Sequence, residues 1–218
     1  MVKVKICGIR TLDEAMMCVE EGSDGLGFIC GVRYKAEDAT EIDTIRKIVK
    51  NLPPYVTTVF VTHLEDVGEL KGLFRFSLCQ VLQIQGDMSP ENVVKLRNFF
   101  PFAKFVKAVH VNRENPLEYA KRYEETVDAL LLDTMTEDRI GGTGIPCDWN
   151  ICRFIRKSVS KPVILAGGLS PENVLEALEV VRPYGVDANS KLDDPEGMKD
   201  RKKVREFIKK VRSWIGPF

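Results

Sequence analysis

Short β-rich runs alternate with longer amphipathic runs along the whole chain, and this alternation restricts the fold more than any other feature. The runs expected as strands are Val2–Cys7, Asp24–Cys30, Thr57–Thr62, Val81–Gly86, Lys104–Val111, Asp128–Thr134, Pro162–Gly168 and Gly185–Ser190. The first helical run opens at a capping box, Thr11 with Glu14. The others are expected near Glu37–Leu52, Glu65–Phe74, Ser89–Phe100, Pro116–Glu125, Asp148–Val159, Ser170–Val181 and Asp200–Trp214. Parallel neighbours cannot be joined by a tight turn, so eight β units alternating with eight α units call for a parallel sheet with crossover helices. At 218 residues the chain lies near the lower size limit of a closed (β/α)8 barrel, the TIM barrel, read here as one domain over residues 1–218. The rival is a doubly wound open sheet. Near-equal units, and no G-x-G-x-x-G after the first strand, favour closure.

Lys+Arg and Asp+Glu both number 32, a formal net charge of +0. A balanced charge has no general attraction for nucleic acid or an acidic membrane surface, so neither is expected as a partner and anion recognition must be local. The chain enters its first strand with no apolar stretch suited to a signal peptide or membrane span, which predicts a cytoplasmic location. Its six cysteines include no C-x-x-C pair, so they are expected as free thiols, mostly small buried hydrophobes, with no metal site. The last helix is basic, and Val204, Phe207, Ile208, Val211 and Ile215 recur near one face. A solvated face above a core-packing stripe accounts for that pattern.

Ser-Pro-Glu-Asn-Val occurs at 89–93 and again at 170–174. Serine at the cap and proline in the first turn are good helix starts, so both copies are expected to open helices.

Strand alternation says more about chemistry. Val2, Val4 and Ile6 share one face of the first strand, and helices must cover the outside of a closed barrel. Lys5 and Cys7 therefore point inward. Gln83 and Gln85 alternate with Leu82 and Ile84, Asp187 and Asn189 alternate with Val186 and Ala188, and the sixth strand ends in Asp133. Polar groups thus converge near the C-terminal ends of the strands, the rim where barrel enzymes place their chemistry. Lys5 and Asp187, on strands that adjoin on closure, could instead form an internal ion pair.

Glycines cluster at the same rim. Gly141-Gly142-Thr143-Gly144 follows the sixth strand, Gly167-Gly168 ends the seventh, and the eighth runs into Ser190-Lys191. Glycine lets backbone N–H groups approach an anion, and barrels commonly bind phosphate at the loops after strands seven and eight.

These residues resemble the phosphoribosylanthranilate isomerase family of tryptophan biosynthesis. The likeness rests on Val4-Lys5-Ile6-Cys7-Gly8-Ile9, Gly27-Phe28-Ile29, Leu131-Leu132-Asp133-Thr134, Gly141–Gly144 with Asp148-Trp149, Gly167–Val174, Gly185-Val186-Asp187 and Gly197–Asp200. The resemblance implies an Amadori rearrangement of a phosphorylated aminoaldose without metal or organic cofactor, with Cys7 as general base and Asp133 as general acid. It also implies substrate contacts from Arg33 (to the anthranilate carboxylate), Gln83, Gly142, Gly144, Gly167, Gly168 and Ser190. Lys191, which stands where the family has glycine, is added to this set as a candidate phosphate contact. The protein would then work on a small phosphorylated sugar, as a monomer or homodimer. The competing readings are an inert core thiol for Cys7, a strand-end cap for Asp133 and an ordinary exposed arginine at position 33.

Three segments depart from the family pattern. The loop Cys30–Ala36 is short, Gln83-Ile84-Gln85-Gly86 stands where Gln-Leu-His-Gly is usual, and Asn189-Ser190-Lys191-Leu192-Asp193 replaces Ser-Ser-Gly-Val-Glu. Lys191 could add a charged contact to phosphate, obstruct it, or strain the backbone if the position needs positive φ. The alternatives to the leading function are a paralogous barrel isomerase or synthase for another phosphorylated sugar, and a non-catalytic binder of a phosphate ligand.

Overall fold

The computed structural model describes residues 1–32, 38–133 and 148–216, together with the backbone of 135–136 and 139–140. In chain order the strands are β1 Lys3–Ile6, β2 Gly25–Ile29, β3 Thr57–Thr62, β4 Val81–Ile84, β5 Lys104–His110, β6 Ala129–Asp133, β7 Met135–Thr136, β8 Arg139–Ile140, β9 Val163–Leu165 and β10 Gly185–Ala188. The helices are α1 Leu12–Glu20, α2 Ile42–Asn51, α3 Val67–Ser77, α4 Pro90–Phe99, α5 Pro116–Glu124, α6 Trp149–Ser158, α7 Val174–Val181 and α8 Arg201–Ser213. Eight strands form a closed barrel in the order β1-β10-β9-β6-β5-β4-β3-β2, while β7 and β8 form a separate antiparallel ladder. β1 pairs in parallel with both β2 and β10, which excludes the open sheet. Among the described residues no helix is long and apolar enough to cross a membrane.

Alternation divides the apolar residues into two compartments. Val2, Val4, Ile6, Phe28, Phe60 and Phe105 belong to the large cluster between sheet and helices. Cys7, Val59, Val61, Val106, Ala108 and Leu131 form a smaller cluster inside the barrel. Bulky rings pack outside because the barrel interior has room only for smaller side chains among its polar groups. A fully buried Phe of the outer layer contributes about 1.5–3 kcal/mol.

One outward position breaks the apolar rule. Lys107 of β5 is 0% exposed, and its ammonium lies over the rings of Tyr119 and Tyr123 at 5.2 and 5.3 Å. It donates to backbone carbonyls of Ala108 and Ile84 and makes no ion pair among the described residues. Burial pulls its pKa down to about 7.

Helix starts follow local chemistry. Thr11 and Glu14 form the expected reciprocal capping box, and Asp66, Ser89, Asp148 and Asp200 cap α3, α4, α6 and α8. The second helix begins at Ile42, later than expected. Thr40 gives its N–H to Ile29 and its hydroxyl to Ile9, which holds the entry extended. In α8, Val204, Phe207, Ile208 and Val211 are buried as expected, but Ile215 lies past the helix end and is 96% exposed. The basic face is also more than solvated: Arg201 and Arg205 pair with Glu21, and Arg212 pairs with Asp24. These bonds tie the last helix to the segment between α1 and β2.

Candidate active site

The inward face of β1 carries Lys5 and then Cys7. Lys5 Nζ lies 2.6 Å from Asp187 Oδ2 of β10, and the register sets the two residues side by side. The internal ion pair is therefore present. Burial works against the Lys5 ammonium, but Asp187 and the neighbouring thiol more than offset it and hold its pKa above the ordinary lysine value. Space for both side chains comes from Gly27 of β2, where a Cβ would stand 2.7 Å from Cys7 Sγ and 2.9 Å from Lys5 Nζ.

Cys7 is 5% exposed. Burial pushes its thiol up to about 11, Lys5 pulls the other way, and Asp187 adds to the upward push. Lys5 thus favours the thiolate, as its charge suggests, but burial wins. In the unliganded protein the thiol is protonated at neutral pH.

Asp133 closes β6, following Ala129 and Leu131 on the inward face, and is 5% exposed. Gln85 Nε2 donates to Asp133 Oδ2 at 3.0 Å, and Gln83 Nε2 donates to Gln85 Oε1 at 3.2 Å. Gln83 therefore directs its amide at Gln85. His110, in register beside Asp133, is a candidate site residue that the motifs do not include. Alternation in β5 could have found it, since Val106 and Ala108 precede it on the same face. Burial, reinforced by the Lys107 charge, lowers its pKa to about 4, so the imidazole is neutral at physiological pH.

At the opposite part of the rim, Gly167 and Gly168 have φ of 86° and 63°, a region that favours glycine. Here the two Ser-Pro-Glu-Asn-Val copies part company. Ser89 caps α4 and Asn92 meets Lys95, whereas Asn173 turns back to bond Gly168 O and Ser170 N, both at 2.9 Å. Residues 171–173 form a turn, and α7 starts only at Val174. The second copy braces the glycine rim in place of a plain helix start.

Ser190 and Lys191 are exposed at the start of a 3-10 turn, Ser190–Leu192. Lys191 is not among the residues of positive φ, which removes backbone strain as a reading of its presence. Asn189 commits its amide to the scaffold: it donates to Asp38 Oδ2 at 2.7 Å and accepts from Lys199 Nζ at 2.9 Å. Asp38 and Lys199 are further residues that spacing alone did not single out. Arg33, Gly142 and Gly144 lie outside the described residues.

A closed barrel that sets Cys7, Asp133 and the Gly167–Gly168 turn at the C-terminal ends of its strands can be compared with known proteins. The profile of N-(5'phosphoribosyl)anthranilate (PRA) isomerase matches residues 4–210. The chain belongs to this family. N-(5'-phosphoribosyl)anthranilate isomerase 2 of Methanosarcina mazei is 40% identical over 214 residues, covering 97% of this chain and 95% of the relative. The Methanocella arvoryzae enzyme is 41% identical, covering 97% and 99%. Among solved structures, phosphoribosyl anthranilate isomerase from Thermotoga maritima superposes with a TM-score of 0.87 at 33% identity, covering 98% of this chain and 100% of that one. A phosphoribosyl anthranilate isomerase in complex with reduced 1-(o-carboxyphenylamino)-1-deoxyribulose 5-phosphate matches at 0.84 and 32%, covering 98% and 100%. As a member of the family the chain is an isomerase of tryptophan biosynthesis with the (β/α)8 fold.

Proposed function

We propose that this family member rearranges N-(5-phosphoribosyl)anthranilate to the aminodeoxyribulose phosphate, with Cys7 as general base and Asp133 as general acid. The observation that carries this reading is convergence: Cys7 and Asp133 come from inward faces of β1 and β6 and end at one rim of the barrel. Asp133 protonates the furanose ring oxygen, the C1–O bond breaks, and the anilinic nitrogen's lone pair makes a cationic imine. Cys7 then takes the proton from C2, and the electron pair moves to give an enamine that tautomerises to the ketone. Two positioned groups of opposite role suit these transfers.

The thiol's high pKa in the free protein fits that sequence. A cationic imine beside Cys7 lowers the thiol's pKa as Lys5 does, so the thiol gives up its proton to solvent as the intermediate forms. The resulting thiolate is the species that takes the C2 proton. The phosphate is assigned to Gly167, Gly168 and Ser190, with exposed Lys191 as a cation beside it, and Gly142 and Gly144 are assigned to the same substrate from the motif alone. Arg33 is assigned to the anthranilate carboxylate and Gln83 to the substrate-facing wall. The solved relative bound to a reduced carboxyphenylamino deoxyribulose phosphate supports a substrate of this shape.

The test generates the labile substrate in situ from anthranilate and phosphoribosyl pyrophosphate and follows the loss of its fluorescence. Turnover is expected, and Cys7→Ala and Asp133→Ala should each lower kcat about a hundredfold or more. A folded wild type without turnover would remove the substrate assignment. Wild-type rates in either variant would remove that residue's role.

A further inference from the structure

Gln85 is held at almost every hydrogen-bonding group. Its backbone N–H donates to Thr62 O at 2.8 Å, and its side-chain oxygen accepts from Gln83. His110 Nε2 lies 3.3 Å from its carbonyl oxygen. A carbonyl only accepts, so Nε2 carries the hydrogen and His110 is fixed as one neutral tautomer. The next residue admits no side chain, because a Cβ at Gly86 would stand 2.7 Å from His63 O. One group of Gln85 remains to act outward, the Nε2 that reaches across β5 to Asp133 Oδ2.

We propose that Gln85 is a positioning residue for Asp133, fixing Oδ2 as an acceptor so that the transferable proton is carried on Oδ1. The proposal rests on Asp133 being the general acid. A carboxyl group whose one oxygen accepts from a rigid amide keeps its acidic hydrogen on the other, at a defined place in the barrel mouth. The choice of an amide matters where the family usually has histidine. An amide does not titrate, so it orients the acid without placing a second cation beside it as pH falls, whereas an imidazolium would favour the carboxylate and deplete the protonated form that must donate. The other ionisable groups on neighbouring inward positions are His110 on β5, His63 just past β3, and Cys7, Lys5 and Asp187 across the barrel.

The decisive experiment measures pH profiles of kcat and KM for wild type, Gln85→Leu, Gln85→His and Asp133→Asn, with thermal unfolding as a check on folding. Gln85→Leu should lose about 10–100-fold in kcat with KM changed less than about threefold, because the acid is misdirected while the phosphate and aromatic contacts remain. Gln85→His should recover most of that rate and add a histidine ionisation to the kcat profile that wild type lacks. A folded Gln85→Leu with wild-type kcat and pH profile would overturn the proposal, as would a loss confined to KM. If the leucine variant fails to fold, a histidine variant whose profile superposes on wild type overturns it equally. Asp133→Asn separates the layers: full activity there removes the acid assignment itself, while inactivity beside an unaffected Gln85→Leu removes only the role of Gln85.

Discussion

Two buried lysines on opposite sides of one barrel solve the same problem in opposite ways. Lys5 points into the barrel, meets Asp187 at 2.6 Å and stays charged. Lys107 points outward beneath α5, meets two tyrosine rings and backbone carbonyls, and is driven by burial toward neutrality, with a pKa of about 7. The difference shows what a buried ammonium requires. A carboxylate at contact distance repays its desolvation; rings and carbonyls repay only part, and the proton becomes labile. Only the paired lysine adjoins the candidate catalytic residues, where a permanent positive charge beside Cys7 has a use.

The largest effect should come from breaking the inner pair. Asp187→Leu strands the Lys5 charge in the barrel and should cost about 3–5 kcal/mol in urea unfolding, while adding Lys5→Met should restore most of that loss. A cost below about 1 kcal/mol for the single variant would mean that water or another group already satisfies Lys5. Crowding on the same side gives the next test. Gly27→Ala drives a methyl against Cys7 and Lys5 and should cost about 1–3 kcal/mol together with a fall in kcat. Gly72→Ala in α3 is the control: a Cβ there meets nothing within 4 Å, and the change should be neutral or stabilising by about 0.5–1 kcal/mol.

For the outer lysine the prediction concerns pH. The unfolded chain keeps the lysine proton until about pH 10.4, whereas the folded protein releases it at about 7. Between those values the unfolded state binds more protons, so stability rises with pH, and the contribution is lost as pH falls through 7. Relative to Lys107→Met, the wild type should therefore gain about 2 kcal/mol between pH 7 and pH 9, read from paired urea titrations. A pH-independent difference between the two would show that Lys107 keeps its proton when folded.

Much of this architecture was legible in the chain. Period-two alternation assigned Val4 and Ile6 outward and Lys5 and Cys7 inward because sheet faces must alternate and only the outside is covered by helices. Local rules were less reliable where long-range bonds competed. Ser170 begins the same pentapeptide as Ser89, yet the second copy bends back to hold Gly168, because a rim glycine is within reach of Asn173. Thr40 delays α2 for the same kind of reason, its hydrogen-bonding groups being taken by Ile9 and Ile29. His110 was hidden because one histidine in a strand looks alike whether it faces packing helices or a catalytic mouth.

By itself the sequence determined the number of β/α units, the inward and outward faces and the family, since these follow from periodicity and motif order along the chain. The sequence offered the Lys5–Asp187 pair as one reading and the tertiary structure decided it; the tertiary structure alone supplied the reach of Gln85 to Asp133 and the place of Lys107 among rings. The physical reason is that pairing and desolvation depend on what closure of the barrel brings within about 3 Å, and no spacing in one dimension carries that distance.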